Sequence, residues 1–182
     1  LTSLQAKESE PLVHGGEALY AALVGDLHSH SDWSDGGSPI EEMVLAAVEL
    51  GQEWLALTDH SPRLKIAHGL SVARLTEQLG VVDRINASLG DRFTLLKGIE
   101  VDILDDGSLD QTDEMLGRLD VVTASVHSKL AMNAAPMTKR MVTAVLDPRV
   151  NVLGHCTGRL VTGSRGQRAQ SEFDARAVFE AC

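Results

Sequence analysis

The chain has 182 residues, enough for one domain with a sizeable core, and its 43% hydrophobic content with near-zero mean hydropathy is that of a globular protein. A formal net charge of −10 and an aromatic content of 3% argue against a broad basic surface for gripping nucleic acid and against platforms for stacking bases. No apolar run reaches the length of a membrane span, and Cys156 and Cys182 make neither a disulfide framework nor a paired zinc-knuckle spacing.

Residues 1–15 are polar and aperiodic, Gly15-Gly16 ends them, and Glu17 to Leu23 reads as a short helix, so 1–23 is expected to be leader and linker. The first ten residues lack the basic start and apolar centre of a secretory signal, which makes the cytoplasm the default compartment, and the opening Leu suggests an upstream part. From Val24 to residue 182, short apolar runs alternate with amphipathic stretches. That is the pattern of β-α units around a largely parallel sheet.

The first unit is a strand ending at His30 and a helix in which Ser38 caps, Pro39 takes the first helical position and Gly51 stops the turn. The second strand is Trp54 to His60, followed by a helix from Ser71 whose stripe is Leu75, Leu79, Val82, Ile85 and Leu89. The third strand is Phe93 to Asp102, with a short acidic helix near Gln111–Leu119 after it. The fourth, Val121 to His127, precedes a helix from about Met137 to Leu146. The fifth, Val150 to His155, leads through the loop Gly158–Gly166 to a helix near Phe173–Ala181.

Five of the seven histidines fall at the C-terminal ends of successive strands: His28 with His30, His60, His127 and His155. Glu100 holds the same kind of position on the third strand. In a parallel β/α arrangement these ends open on one face, where ligands and catalytic groups gather. Residues two apart on a strand share a face, so His28 and His30 can reach one ion while Leu27 packs on the other side. Asp26 has their parity and is expected to accept the free ring N–H of a ligating histidine. Imidazoles with a carboxylate suit zinc, iron or manganese, and their number exceeds what one tetrahedral ion requires. Glu100 is the natural bridge between ions, and Asp35, in the Ser34-Asp35-Gly36 turn, is placed to reach a further one.

These residues resemble the PHP family, named for polymerases and histidinol phosphatase. The resemblance rests on Asp26-Leu-His28-Ser-His30, Ser34-Asp35-Gly36, Leu57-Thr-Asp-His60, Gly98-Ile-Glu100-Val-Asp102, Ala124-Ser-Val-His127 and Gly154-His155-Cys-Thr-Gly-Arg159. It covers residues 24–182 and looks nearest to the PHP domains of bacterial family X DNA polymerases and their stand-alone relatives. It implies a distorted seven-stranded β/α, TIM-like barrel with up to three divalent metals, here ending after about five strands. It further implies that His28, His30 and Glu100 share one ion, that Glu100, His127 and His155 hold a second, and that Asp35 with His60 forms part of a third. The family pattern continues through two more strands to an Asp-x-His pair that completes the first and third sites. No second Asp-x-His follows His155 in this sequence, so the barrel is expected to be incomplete here.

The chemistry implied is hydrolysis of a phosphate ester by hydroxide generated at bound metal. Candidate substrates are a small phosphomonoester such as histidinol phosphate, or the 3′ end of DNA. A non-catalytic, metal-holding regulatory domain is the third possibility. Arg159 and Lys129 are candidates for binding phosphate, with Arg63, Lys65 and Arg165 in loops on the same face. His68 is a candidate for protonating a leaving oxygen. Asp59 and Asp102, neighbours of ligands in sequence, are expected to support them or to cap nearby backbone. Neither metal, substrate nor oligomeric state is fixed by these residues.

Overall fold

A computed structural model describes residues 16–162 and 166–182; the polar leader with His14, and Arg165 in the last loop, lie outside these. Five parallel strands lie side by side in chain order: β1 (Gly25–Ser29), β2 (Trp54–Leu57), β3 (Thr94–Asp102), β4 (Val121–Ser125) and β5 (Val152–Leu153). Helices occupy the crossovers: α2 (Ile40–Glu49) after β1, α3 (Val72–Leu89) after β2, α4 (Asp113–Leu116) after β3 and α5 (Ala134–Val145) after β4. A short α1 (Gly16–Ala22) precedes the sheet and α6 (Ala175–Ala181) follows it. Because each strand pairs with the next in sequence, the sheet curls one way into a half-barrel, the α/β architecture expected of part of a TIM-like barrel.

The core lies between the sheet and its helices in two clusters. One packs Ile40, Val44 and Ala47 of α2 and Val82 of α3 against Leu55, Leu57 and Leu95, with Phe93 beside them. The other joins Leu75 and Leu79 of α3, Met137 and Met141 of α5 and Val178 of α6 to Ile99, Val101, Val122 and Ala124. The α3 stripe read from periodicity is buried at Leu75, Leu79 and Val82 and half-buried at Ile85 and Leu89. Ser71 caps this helix through its side chain, which accepts from the Arg74 amide at 3.3 Å.

Two helix starts differ from expectation. Ser38 does not cap α2: Pro39 stands at the cap position without a side-chain bond, and the helix begins at Ile40. The Ser38 carbonyl instead accepts the Asp32 amide at 2.9 Å, tying the helix start to the loop after β1. Helix α5 begins at Ala134, before the expected Met137, because Pro136 falls in the first turn, where its missing N–H is no loss. Strands β2, β4 and β5 also end two or three residues earlier than the apolar runs do. His60, His127 and His155 therefore stand just past the regular sheet, and His60 keeps a single parallel bridge to Glu100.

Candidate metal centre

The C-terminal ends of the five strands open into one cleft of about 650 Å³, and its wall includes His28, His30, His60, His127 and His155 together with Asp35 and Glu100. Two glycines make this convergence possible. A Cβ at Gly36 would lie 2.0 Å from the His30 carbonyl oxygen, so only glycine lets the loop fold back against β1 and bring Asp35 to the rim. A Cβ at Gly154 would lie 2.2 Å from Ser125 Oγ, so the chain leading to His155 passes close against β4 only without a side chain there.

Glu100 is the centre of the arrangement, fully buried and ringed by imidazoles. Its Oε2 lies 3.6 Å from His28 Nε2, 3.3 Å from His30 Nε2 and 3.1 Å from His60 Nδ1. Its Oε1 lies 2.8 Å from His155 Nε2 and 3.3 Å from His127 Nε2. The two oxygens thus face different sets of rings. Within each set the ring nitrogens also meet, His28 Nε2 to His30 Nε2 at 3.2 Å and His127 Nε2 to His155 Nε2 at 3.2 Å. Farther along the rim, Asp35 Oδ1 lies 3.4 Å from His60 Nε2 and 3.8 Å from His30 Nδ1.

These donors fit divalent cations. An ion held at ~2.0–2.2 Å by imidazole and carboxylate needs its donors roughly 3–4 Å apart, which is the spacing found. His30 Nδ1 and His60 Nδ1 are buried without a hydrogen-bond partner, an arrangement that costs stability unless something satisfies them. Among the described residues, donor atoms cluster as His28, His30 and Glu100; as His30, Asp35 and His60; and as His60, Glu100 and His127. His155 joins Glu100 and His127 on the other oxygen.

The protonation states follow from this crowding. Burial pushes the Glu100 carboxyl up, but hydrogen bonds with His127, His155 and His30 outweigh it and hold the group far below the usual carboxylate range. For His127 burial acts downward, yet its bonds to Asp102 and Glu100 prevail and raise it to about 9. His30 is also raised, with burial opposed and overcome by the Glu100 hydrogen bond and charge. Burial lowers His28 and His60.

The supporting contacts differ from those expected. Asp26 does not hold a ligand ring: its Oδ1 accepts the His28 backbone amide at 3.0 Å, while Thr58 Oγ1 meets His28 Nδ1 at 2.9 Å. Strand parity put Asp26 beside His28 but could not anticipate the shift in β1–β2 register that brings Thr58 there. Asp102 hydrogen-bonds His127 Nδ1, leaving Nε2 for the cleft. The Asp59 carboxylate hydrogen-bonds no imidazole among the described residues. Wholly buried, it accepts from the Ser31 amide at 2.8 Å, Ser31 Oγ at 2.6 Å, Ser34 Oγ at 2.5 Å and Gln78 Nε2 at 2.6 Å, locking the Asp35 loop to α3.

The loop cations are arranged differently again. Arg159 and Lys129 are exposed and outside the cleft wall, and Lys129 pairs with Asp105. Arg63, Lys65 and His68 are exposed and also outside it; His68 ends a short turn in the left-handed region. The arginine that does line the cleft is Arg168, which local sequence patterns gave no reason to single out. Leu64, Ile66, Ala67 and Leu130 add an apolar part to the wall.

The chain is 43% identical over 87% of its length to the DNA polymerase/3′-5′ exonuclease PolX of Bacillus subtilis, of which it covers 27%. It is 31% identical over 73% of its length to a protein of Thermoanaerobacter sp. named as a probable phosphatase, and 31% identical over 73% to one so named from Acetivibrio thermocellus, covering 54% of each. It therefore spans about a quarter to a half of these relatives. The model of the PHP domain matches residues 26–170, the stretch that carries the imidazole ring around Glu100, and on that match the chain belongs to the PHP domain family.

Proposed function

We propose that this chain forms the catalytic metal site of a metal-dependent phosphoesterase. The observation that carries the reading is Glu100, whose two oxygens each face a separate set of imidazole nitrogens at 2.8–3.6 Å. In this reading His28, His30 and Glu100 hold one ion, Glu100, His127 and His155 a second, and Asp35 with His60 part of a third. Bound ions supply Lewis acidity, activating water and neutralising charge on the phosphoryl group. The chain's own residues do the rest. Asp102 and Thr58 fix the ring orientations of His127 and His28, Asp59 holds the Asp35 loop, and no side-chain nucleophile is needed.

The preferred substrate class is a small phosphomonoester, histidinol phosphate among the candidates, and two similar proteins named as probable phosphatases support it. A second reading, removal of nucleotides from DNA 3′ ends, is favoured by the similarity to a protein named polymerase and exonuclease. Purified protein loaded with manganese or zinc, offered p-nitrophenyl phosphate, histidinol phosphate and a single-stranded oligonucleotide, separates the two. Turnover of the monoesters alone supports the phosphatase, and shortening of the oligonucleotide from its 3′ end supports the nuclease. Metal binding without turnover of any of the three points to a regulatory domain and ends the hydrolase proposal.

A further inference from the structure

We infer that Arg168 is the phosphate clamp of this site and that it selects esters whose phosphoryl group is a dianion. Among the described residues that line the cleft it is the one lysine or arginine, facing a wall otherwise charged by Asp35, Glu100 and the imidazoles. Among the described residues four basic side chains pair with carboxylates, Lys97 with Asp83, Lys129 with Asp105, Arg149 with Asp147 and Asp113, and Arg176 with Glu180, while others such as Arg63 and Arg159 do not, so what sets Arg168 apart is its place in the cleft wall. Arg168 has no such partner among the described residues.

Its position is built. The Arg168 amide and carbonyl exchange two hydrogen bonds with Leu160, each 3.0 Å, so the residue sits on a closed antiparallel bridge. Its Nε donates to the Gly158 carbonyl at 2.7 Å, and the Gly158 amide donates to the His155 carbonyl at 2.9 Å. One residue therefore links the guanidinium to the backbone of a candidate metal ligand. Gly158 has φ +55, and a Cβ there would press on Leu130 at 2.9 Å, so this linkage depends on glycine. With Nε engaged, the two terminal amino groups remain to meet oxygens side by side.

That fork matches a monoester better than a diester. A phosphomonoester near neutral pH carries close to two charges on three terminal oxygens, because its second pKa is about 6, whereas a diester carries one charge on two. A cation added at the mouth of an otherwise acidic cleft gains most from the extra oxygen and charge. The inference rests on the phosphoesterase reading and narrows it.

The test uses two esters with the same leaving group, p-nitrophenyl phosphate and bis(p-nitrophenyl) phosphate, on manganese-loaded protein. Arg168→Ala is expected to lower kcat/KM for the monoester roughly 10- to 100-fold, mainly through KM, and for the diester by less than about threefold. Metal content should not change. Arg168→Gln keeps a donor for the Gly158 carbonyl but not the charge, so it should behave like Arg168→Ala; recovery of monoester activity would assign the loss to hairpin structure and overturn the clamp. Equal losses on both esters, or none, would overturn it as well. Calorimetric binding of inorganic phosphate to manganese-loaded protein provides a readout independent of turnover. A protein that hydrolyses neither ester yet binds phosphate through Arg168 sinks the enzyme reading and leaves the clamp. Phosphate affinity that is absent, or unchanged in Arg168→Ala, sinks the clamp itself.

Discussion

The middle of the sheet and its two edges contribute to the same centre in different ways. Side-chain exposure rises outward on both sides: 1% for Glu100 on β3, 8% and 15% for His60 and His127 after β2 and β4, then 40% and 50% for His28 and His155 at the edges. A central strand has a paired neighbour on each side, so its groups are buried and held by fixed partners. An edge strand of this sheet has one neighbour and leaves His28 and His155 open to solvent, although His30, just past β1, turns inward and is 21% exposed. The centre thus has a buried floor and a solvent-exposed rim, and the floor contains the carboxylate that joins the two halves.

The largest effect should come from the floor. Glu100→Gln keeps the shape but removes the charge facing five imidazoles. Bound metal in the dialysed protein should fall by more than half, and turnover should fall by at least about 100-fold. Full metal stoichiometry in this variant would show that the two sets of histidines bind independently and that Glu100 does not join them.

A second consequence of burial is a pH dependence of the metal-free protein. His127 is raised to about 9 from an ordinary value of 6.5, so its contribution to stability is complete below 6.5 and disappears as pH rises through 9. His30, also raised, acts with the same sign. His28 and His60, lowered by burial, act with the opposite sign near the start of that window, where the unfolded imidazoles still hold protons, and add nothing to the slope once pH is well above the ordinary histidine value. Denaturant melts in the presence of a chelator should therefore lose stability between pH 6.5 and 9, by roughly 3 kcal/mol from His127. A flat profile would remove the protonated His127–Glu100–Asp102 arrangement from the metal-free state.

Floor and rim separate most directly in paired truncations. His60→Ala empties a buried position stacked on His30 at 4.4 Å between ring centres and should cost about 2 kcal/mol of metal-free stability. His155→Ala, half-exposed, should cost less than about 0.5 kcal/mol while still lowering metal occupancy. Equal stability losses would mean that the edges are packed as tightly as the centre.

The same division explains what the sequence made legible. Strand-end positions follow from short-range alternation, so His28, His30, His60, Glu100, His127 and His155 could all be picked out as one converging set before any coordinates. Contacts made by loops and by long-range register carry no local signal. Asp59 reads as a neighbour of His60, but its partners Ser31, Ser34 and Gln78 lie far off in sequence and turn it into the anchor of the Asp35 loop. Asp26 failed as a ring partner for the related reason that Thr58 arrives from another strand. Arg168 reaches the cleft wall through its antiparallel bridge to Leu160, a pairing that no local pattern announces.

That pairing yields the smallest effect and the sharpest contrast. Arg159 follows the Gly154-His155 motif and has the better sequence credentials, yet of Arg159 and Arg168, both exposed, it is Arg168 that lines the cleft, while Arg159 stands outside the wall, as does Lys129 in its exposed pair with Asp105. Exposed pairs contribute little to stability because water screens both charges. Arg159→Ala and Lys129→Ala should each leave kcat/KM for a monoester within about twofold of the parent protein and leave metal content unchanged. A loss in Arg159→Ala matching that of Arg168→Ala would mean that substrate draws the loop inward, so that the rim is reshaped on binding and the static division between floor and edge holds only for the free protein.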